Sequence, residues 1–227
     1  AIEARPAGCN LPTQRVIDET LLILKQVQQL RSEDTLLVLL TGGGSALLAS
    51  PIPPLTLHDK ISVTQWLSQA GADITTLNLV RRAISRIKGG QLTRRCRAKN
   101  QLVLVLSDVL GNDLATIASG PCWRAAGPDY QKAREVLRDW HRTHPMKEDF
   151  IVRLEQAIQQ QAQAVASEAG MKRSWLLGSR SAMEARHYIL ADNATAVDAC
   201  GIEAVRRGYA YWMESAPKCE GSAEEVG

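Results

Sequence analysis

Thr35-Leu36-Leu37-Val38-Leu39-Leu40-Thr41-Gly42-Gly43-Gly44-Ser45-Ala46-Leu47-Leu48 is the stretch whose reading decides the fold. Its first six residues form a nearly continuous apolar run of strand length, which predicts a buried strand. Three glycines and a serine follow at once, and then a short apolar segment able to open a helix. Glycine accepts positive φ and lets backbone approach a ligand closely. A helix start leaves N–H donors free and carries positive partial charge. Gly42, Gly43, Gly44 and Ser45 are therefore candidates to cradle a phosphate or carboxylate. A tight strand-to-helix turn with close packing explains the same residues. The stretch matches neither GxxxxGK[ST] nor GxGxxG, so neither nucleotide motif is claimed.

Outward from this stretch the same pattern recurs. Gln101–Leu106 predicts a second buried strand, ending in Ser107-Asp108-Val109-Leu110-Gly111-Asn112-Asp113. Tyr188-Ile189-Leu190 predicts another, ending in Ala191-Asp192-Asn193-Ala194-Thr195, with a helix running on to Arg207 and closed by Gly208. Trp175-Leu176-Leu177 and Tyr209–Met213 are expected to add short strands. Helical spacing begins at Gln14, with Ile17, Leu21, Leu24 and Val27 as the inward positions. Pro51, Pro53 and Pro54 then make a loop, and Thr56 with Asp59 reads as a capping box before Ile61, Val63 and Trp66. Gly71 stops that helix. Asp73 or Thr75 caps the next, with Leu77, Val80, Ile84 and Ile87 on one face; a basic amphipathic stretch to Asn100 follows Gly89-Gly90. Asp129–Arg142 and Glu148–Glu168 are further helices. This alternation predicts an α/β fold with a largely parallel sheet. Ligands of such sheets collect beyond the carboxyl ends of the strands, so the turns near positions 43 and 110 are expected to share one crevice.

The chain has 227 residues, 45% hydrophobic and 22% charged, with a net charge of +3. These are ordinary values for a soluble globular protein. The densest basic run, Arg94-Arg95-Cys96-Arg97-Ala98-Lys99, has no aromatic interleaving and reads as a solvated helix end, not a nucleic-acid site. No apolar run approaches the ~20 residues of a membrane helix. Five scattered cysteines without a CxxC argue for reduced thiols and a cytoplasmic location. Both ends look cut, so a fragment of a longer chain is expected.

Asp108 and Asp113 are the candidate metal ligands, suited to Mg²⁺, which takes one or two carboxylates with phosphate oxygens and waters; turn-forming aspartates are the plainer reading. Arg81 and Lys88 lie seven apart, two helical turns, which places them on one helix face able to hold an anion. Ser119-Gly120-Pro121 offers another close backbone approach. His58, His141, His144 and His187 lack zinc-ligand spacing, and Ser45 lacks the GxSxG context of a hydrolase nucleophile.

Four stretches together resemble the glycerate 2-kinase family that carries a MOFRL domain at its C-terminus. They are Leu40–Leu48, Asn78–Leu92 (NLVRRAISRIKGGQL), Ser107–Asp113 and Ile117–Pro121. The match is close over residues 35–122 and looser over 188–213. The resemblance implies a Rossmann-like three-layer sandwich, incomplete at its N-terminus. It also implies transfer of the ATP γ-phosphoryl group to the 2-hydroxyl of D-glycerate, with Mg²⁺. Lys88 and Arg81 would be catalytic. Gly42, Gly43, Gly44, Ser45, Ser107, Gly111, Ser119, Gly120 and Asn193 would bind substrate or ATP, and Asp108 and Asp113 the metal. A homodimer is compatible with it. Several positions depart from the family: Cys9-Asn10 replaces a His-Pro pair, Leu110 a proline, Asn112 an aspartate, and Cys122-Trp123 a threonine-led continuation. The family's functional lysine segment and its second domain with a functional arginine are not in the sequence, so these residues alone are expected to be inactive. A non-catalytic anion-binding relic, and an NAD(P)H-linked hydroxypyruvate reductase, are the alternative readings.

Overall fold

In the computed structural model, residues 11–175 and 185–212 are described. The elements in order are α1 (Gln14–Gln29), β1 (Thr35–Leu40), α2 (Gly44–Leu47), α3 (Leu57–Gln69), α4 (Ile74–Ala83), α5 (Gln91–Arg94), β2 (Asn100–Leu106), α6 (Tyr130–Thr143), α7 (Glu148–Trp175), β3 (Arg186–Ala191) and α8 (Asn193–Arg206). The strands form one sheet in the order β1-β2-β3, and both pairings are parallel. The expected α/β class with a parallel sheet is what the chain adopts.

Parallel pairing aligns Leu36 with Gln101 and Val38 with Val103, and Val103 with His187. The face that bears Val103 and Val105, both fully buried, packs with Leu24 and Val27 of α1, Ile87, Leu92 and Ile117 into one apolar core. The opposite face is more open. Leu37 and Leu39 are 53% and 70% exposed, so β1, expected to be buried, is a half-exposed strand at the sheet edge. A second core is helical. It joins Val63 and Leu67 of α3, Leu77 and Val80 of α4, Leu137 of α6, and Leu154 and Ile158 of α7, with Ile52 and Leu55.

Capping follows the sequence closely. The Thr56–Asp59 capping box closes the start of α3 in both directions. Asp73 accepts from Thr76 N at 2.7 Å to start α4, and Asp129 does the same for α6 through Lys132 N.

Other expectations are corrected. The inward face of α1 is Val16, Thr20, Leu24 and Val27; Ile17 is half-buried and Leu21 exposed. Thr20 turns inward because its hydroxyl accepts from Ala49 N at 3.2 Å. Helix α4 stops at Ala83, because the next backbone groups find partners in residues 50–52: Ile52 N donates to Ile84 O and Arg86 N to Ser50 O. Ile84 and Ile87 are still buried, but beyond the helix. Of the basic stretch after Gly90 only Gln91–Arg94 is helical. Trp175 belongs to α7 and not to a strand, and Tyr209–Trp212 form no strand. Leu176, Leu177 and Met213 lie outside the described residues.

Candidate functional site

All three strands end on the same side of the sheet, and their turns meet there. Gly42 lies so close to the second turn that a Cβ on it would overlap the Asp108 carboxylate, with Cγ only 3.0 Å away. Ser107 N donates to Ala191 O at 2.9 Å, and Asn112 Nδ2 donates to Asp192 Oδ2 at 2.7 Å. The turns near positions 43 and 110 are therefore neighbours, as expected, and the third turn joins them.

Beneath the turns lies Lys88, the largest fully buried side chain. Its Nζ donates to Ser45 O at 3.0 Å, Ala118 O at 3.1 Å and Ser119 Oγ at 3.5 Å. Ser119 Oγ in turn donates to Asn78 Oδ1 at 2.9 Å and lies 3.3 Å from Ser45 Oγ. One ammonium group thus ties the turn after β1 to the bend at residues 118–120. The bend is laid along the segment after Lys88. Gly89 N donates to Ser119 O, Gly90 N to Gly120 O, and Leu92 N to Pro121 O. Gly90 has φ 71°, and a Cβ there would lie 2.5 Å from Arg124 Cα. Ala118 and Ser119 are left-handed at φ 51° and 63° without being glycine. Such residues persist only where their surroundings hold them.

Lys88 has no carboxylate partner among the described residues. Burial, and then the charges of Lys60, Arg81 and Arg82, push its ammonium well below the ordinary lysine range. Lys60, on α3, is 7% exposed, and its ammonium makes no hydrogen bond or ion pair within the described residues. Burial and the Arg81 charge bring it down to about 8. Arg82 donates to Ala115 O at 2.8 Å, while its Nε is buried without a partner among the described residues. Burial lowers the pKa of Arg82, and the Asp113 charge partly restores it.

The structure therefore brings Ser45 and Ser119 onto Lys88, while Gly42 packs on Asp108, Gly43 lies near Leu47, Gly44 packs on Ala118, and Gly120 O accepts from Gly90 N; the Arg81 charge acts on Lys88. The shared helix face expected for Arg81 and Lys88 does not exist, because α4 ends between them. Ser107 spends its hydroxyl on Val109 O and N within its own turn. Gly111, at φ 72°, faces open space. Asn193 is exposed at the start of α8, next to its cap Asp192. The two aspartates differ. Asp113 accepts from Ala115 N and from Thr116 Oγ1, so it shapes its turn. Asp108 is exposed and accepts no hydrogen bond within the described residues. No group of three or more His, Cys, Asp or Glu able to hold a metal occurs among the described residues.

Four site residues had been given no role: Lys60, Asn78, Asn112 and Asp192. Lys60 was detectable. With Val63 and Leu67 it falls at helical spacing on the buried face of α3, an unusual place for a lysine. A groove of about 720 Å³ also reaches Thr41, Gly42 and Gly44, but α1 and β1 line it with apolar side chains that offer an anion no charge.

The chain belongs to the family described as "Domain of unknown function (DUF4147)", whose model matches residues 1–155. It is similar to glycerate kinase of Mus musculus, 46% identical over 112 residues that make up 49% of this chain and 21% of the mouse protein. It is 39% identical to D-glycerate 2-kinase of Thermotoga maritima over 136 residues, 60% of this chain and 32% of that one. The crystal structure of glycerate kinase from Thermotoga maritima superposes with a TM-score of 0.66 at 29% identity, covering 92% of this chain and 45% of that one. The matched region thus spans about a fifth to a third of these curated relatives.

Proposed function

We propose that these residues are part of the first domain of a glycerate kinase, which transfers the γ-phosphoryl group of ATP to the 2-hydroxyl of D-glycerate and yields 2-phosphoglycerate and ADP. The observation that carries the reading is the excess of buried positive charge, Lys60, Arg81, Arg82 and Lys88, directly behind turns that meet at the strand ends. Phosphoryl transfer needs chiefly positioning and neutralisation of charge spread over phosphate oxygens. Arg81 contributes a guanidinium that makes no hydrogen bond or ion pair within the described residues. Lys88 works through the two carbonyls and the hydroxyl it binds, fixing the backbone of Gly42–Ser45 and Ser119–Gly120 in place, and its charge adds to the local field.

An uncommitted, exposed carboxylate beside a glycine turn suits Mg²⁺, which takes few protein ligands and keeps waters and phosphate oxygens. Asp108 would hold it, and Asp113 would shape the turn. When bound, Mg²⁺ neutralises charge on the transferring phosphoryl group. Ser107, Gly111 and Asn193 line the same strand ends and would contact substrate or ATP. The free thiols Cys96, Cys122 and Cys200 go with a reducing, cytosolic setting.

The test is a coupled assay for ADP release by the full-length gene product with D-glycerate, ATP and Mg²⁺. Turnover supports the proposal; none with D-glycerate or other small 2-hydroxy acids overturns it. The complete occupation of the Lys88 ammonium by protein oxygens favours a second reading, a domain that binds small anions without turnover. Calorimetry would then show binding where the coupled assay stays silent.

A further inference from the structure

We infer that Lys60 on α3 and Arg81 on α4 form the two jaws of a small-oxyanion subsite, which takes the carboxylate of the acid substrate or a phosphoryl group. The inference deepens the kinase reading and rests on it for the choice of ligand.

Three observations converge. Lys60 is more than nine-tenths buried, yet its ammonium has no protein partner among the described residues. The adjacent carboxylate, Asp59, does not serve it: Asp59 is held by Thr56 and paired with Arg153. Arg81 sits at the end of α4, the helix packed beside α3, and its guanidinium makes no hydrogen bond or ion pair within the described residues. Buried charges are normally paired, and here two neighbouring cations share none. The third observation is position. Lys60 is the leading charge acting on Lys88, and Arg81 the next, so the pair stands beside the clasp that joins Ser45 to Ser119. An anion between Lys60 and Arg81 would lie next to the turns where phosphoryl transfer is proposed. Burial and then the Arg81 charge lower the Lys60 ammonium, burial lowers Arg81, and a bound anion would oppose both shifts.

The chemistry recognised is that of a compact oxyanion. An extended polyanion such as nucleic acid does not fit, because Lys60 is only 7% exposed and Arg81 is half-buried.

Calorimetric titration of the full-length protein with D-glycerate, inorganic phosphate and ATP tests the site, using wild type, Lys60→Met, Lys60→Arg and the surface control Lys132→Met. The expected result is a loss of at least tenfold in affinity for one of these ligands in Lys60→Met. Lys60→Arg should recover part of it, and Lys132→Met should match wild type. Loss confined to D-glycerate identifies the carboxylate as the occupant; loss confined to phosphate or ATP identifies a phosphoryl group. Thermal unfolding of Lys60→Met separates this from a structural role. The variant should melt no lower than wild type while binding more weakly, whereas a scaffold lysine would lose both together. Unchanged affinity in Lys60→Met for all three ligands, or a wild type that binds none of them, overturns the site. Binding that depends on Lys60 without ADP release in the coupled assay upholds the site and removes only the kinase reading.

Discussion

Replacing Lys60 by methionine should make the fold more stable, and by an amount that depends on pH. The side chain is buried on α3, and burial followed by the Arg81 charge brings its ammonium from the ordinary 10.5 to about 8. Each pH unit of such a difference is worth about 1.4 kcal/mol. The protonated folded form therefore carries a penalty of about 3 kcal/mol. The sign follows from proton counting. Between pH 8 and 10.5 the unfolded lysine is protonated and the folded one is not, so stability rises with pH across that window. Below pH 8 both forms are protonated and the penalty is present in full; above 10.5 it is gone. Methionine keeps a long apolar stem and removes the charge. Lys60→Met should accordingly gain about 2–3 kcal/mol at pH 7 and close to nothing near pH 10.5. Lys88, which loses a like-charged neighbour, should become easier to protonate in the same variant. Urea unfolding at pH 7 and at intervals up to 10.5 reads the difference. A Lys60→Met protein that is less stable than wild type at pH 7, or whose advantage does not shrink as pH rises, refutes the claim that Lys60 is an unpaired buried cation.

Gly44→Val should cost about 1–3 kcal/mol by overpacking, since a Cβ at position 44 would sit 2.7 Å from the Ala118 Cβ; a lowered urea midpoint with an unchanged slope checks it. Asn112→Ala should let the Asp192 carboxyl rise from about 2 toward the ordinary carboxylate range, because the Asn112 amide is the leading cause of its depression; a carbon-detected NMR titration of Asp192 reads the change. Asp108→Asn should raise the Mg²⁺ concentration needed for half-maximal turnover of the full-length protein by tenfold or more, with cooperative unfolding unaltered because the carboxylate is exposed and makes no hydrogen bond within the described residues.

Much of the scaffold was legible in the sequence for local reasons. Caps such as Thr56–Asp59, Asp73 and Asp129 are written within four residues, so their helices started where expected. Strand cores such as Gln101–Leu106 announced themselves as apolar runs. What failed depended on distant partners. Nothing within reach of Ile84 says that its carbonyl will accept from Ile52 N, yet that bond and its neighbour end α4 and undo the helical pairing of Arg81 with Lys88. Leu39 looks like a core residue until the position of β1 in the sheet is known. At the site, the glycine turns were visible as chemistry, but two of the glycines serve close packing, Gly42 on Asp108 and Gly44 on Ala118. Lys88 was visible too. Its destination was not, because all three of its acceptors lie some 30 to 43 residues away.

The Lys88 clasp also restricts how the molecule can move. Carbonyls 118 to 121 each take a donor from the run 88 to 92, in step, and the same ammonium grips the backbone at Ser45. These three segments have to travel as one rigid body. Any movement that admits or releases ligand must leave these bonds intact or break several of them together.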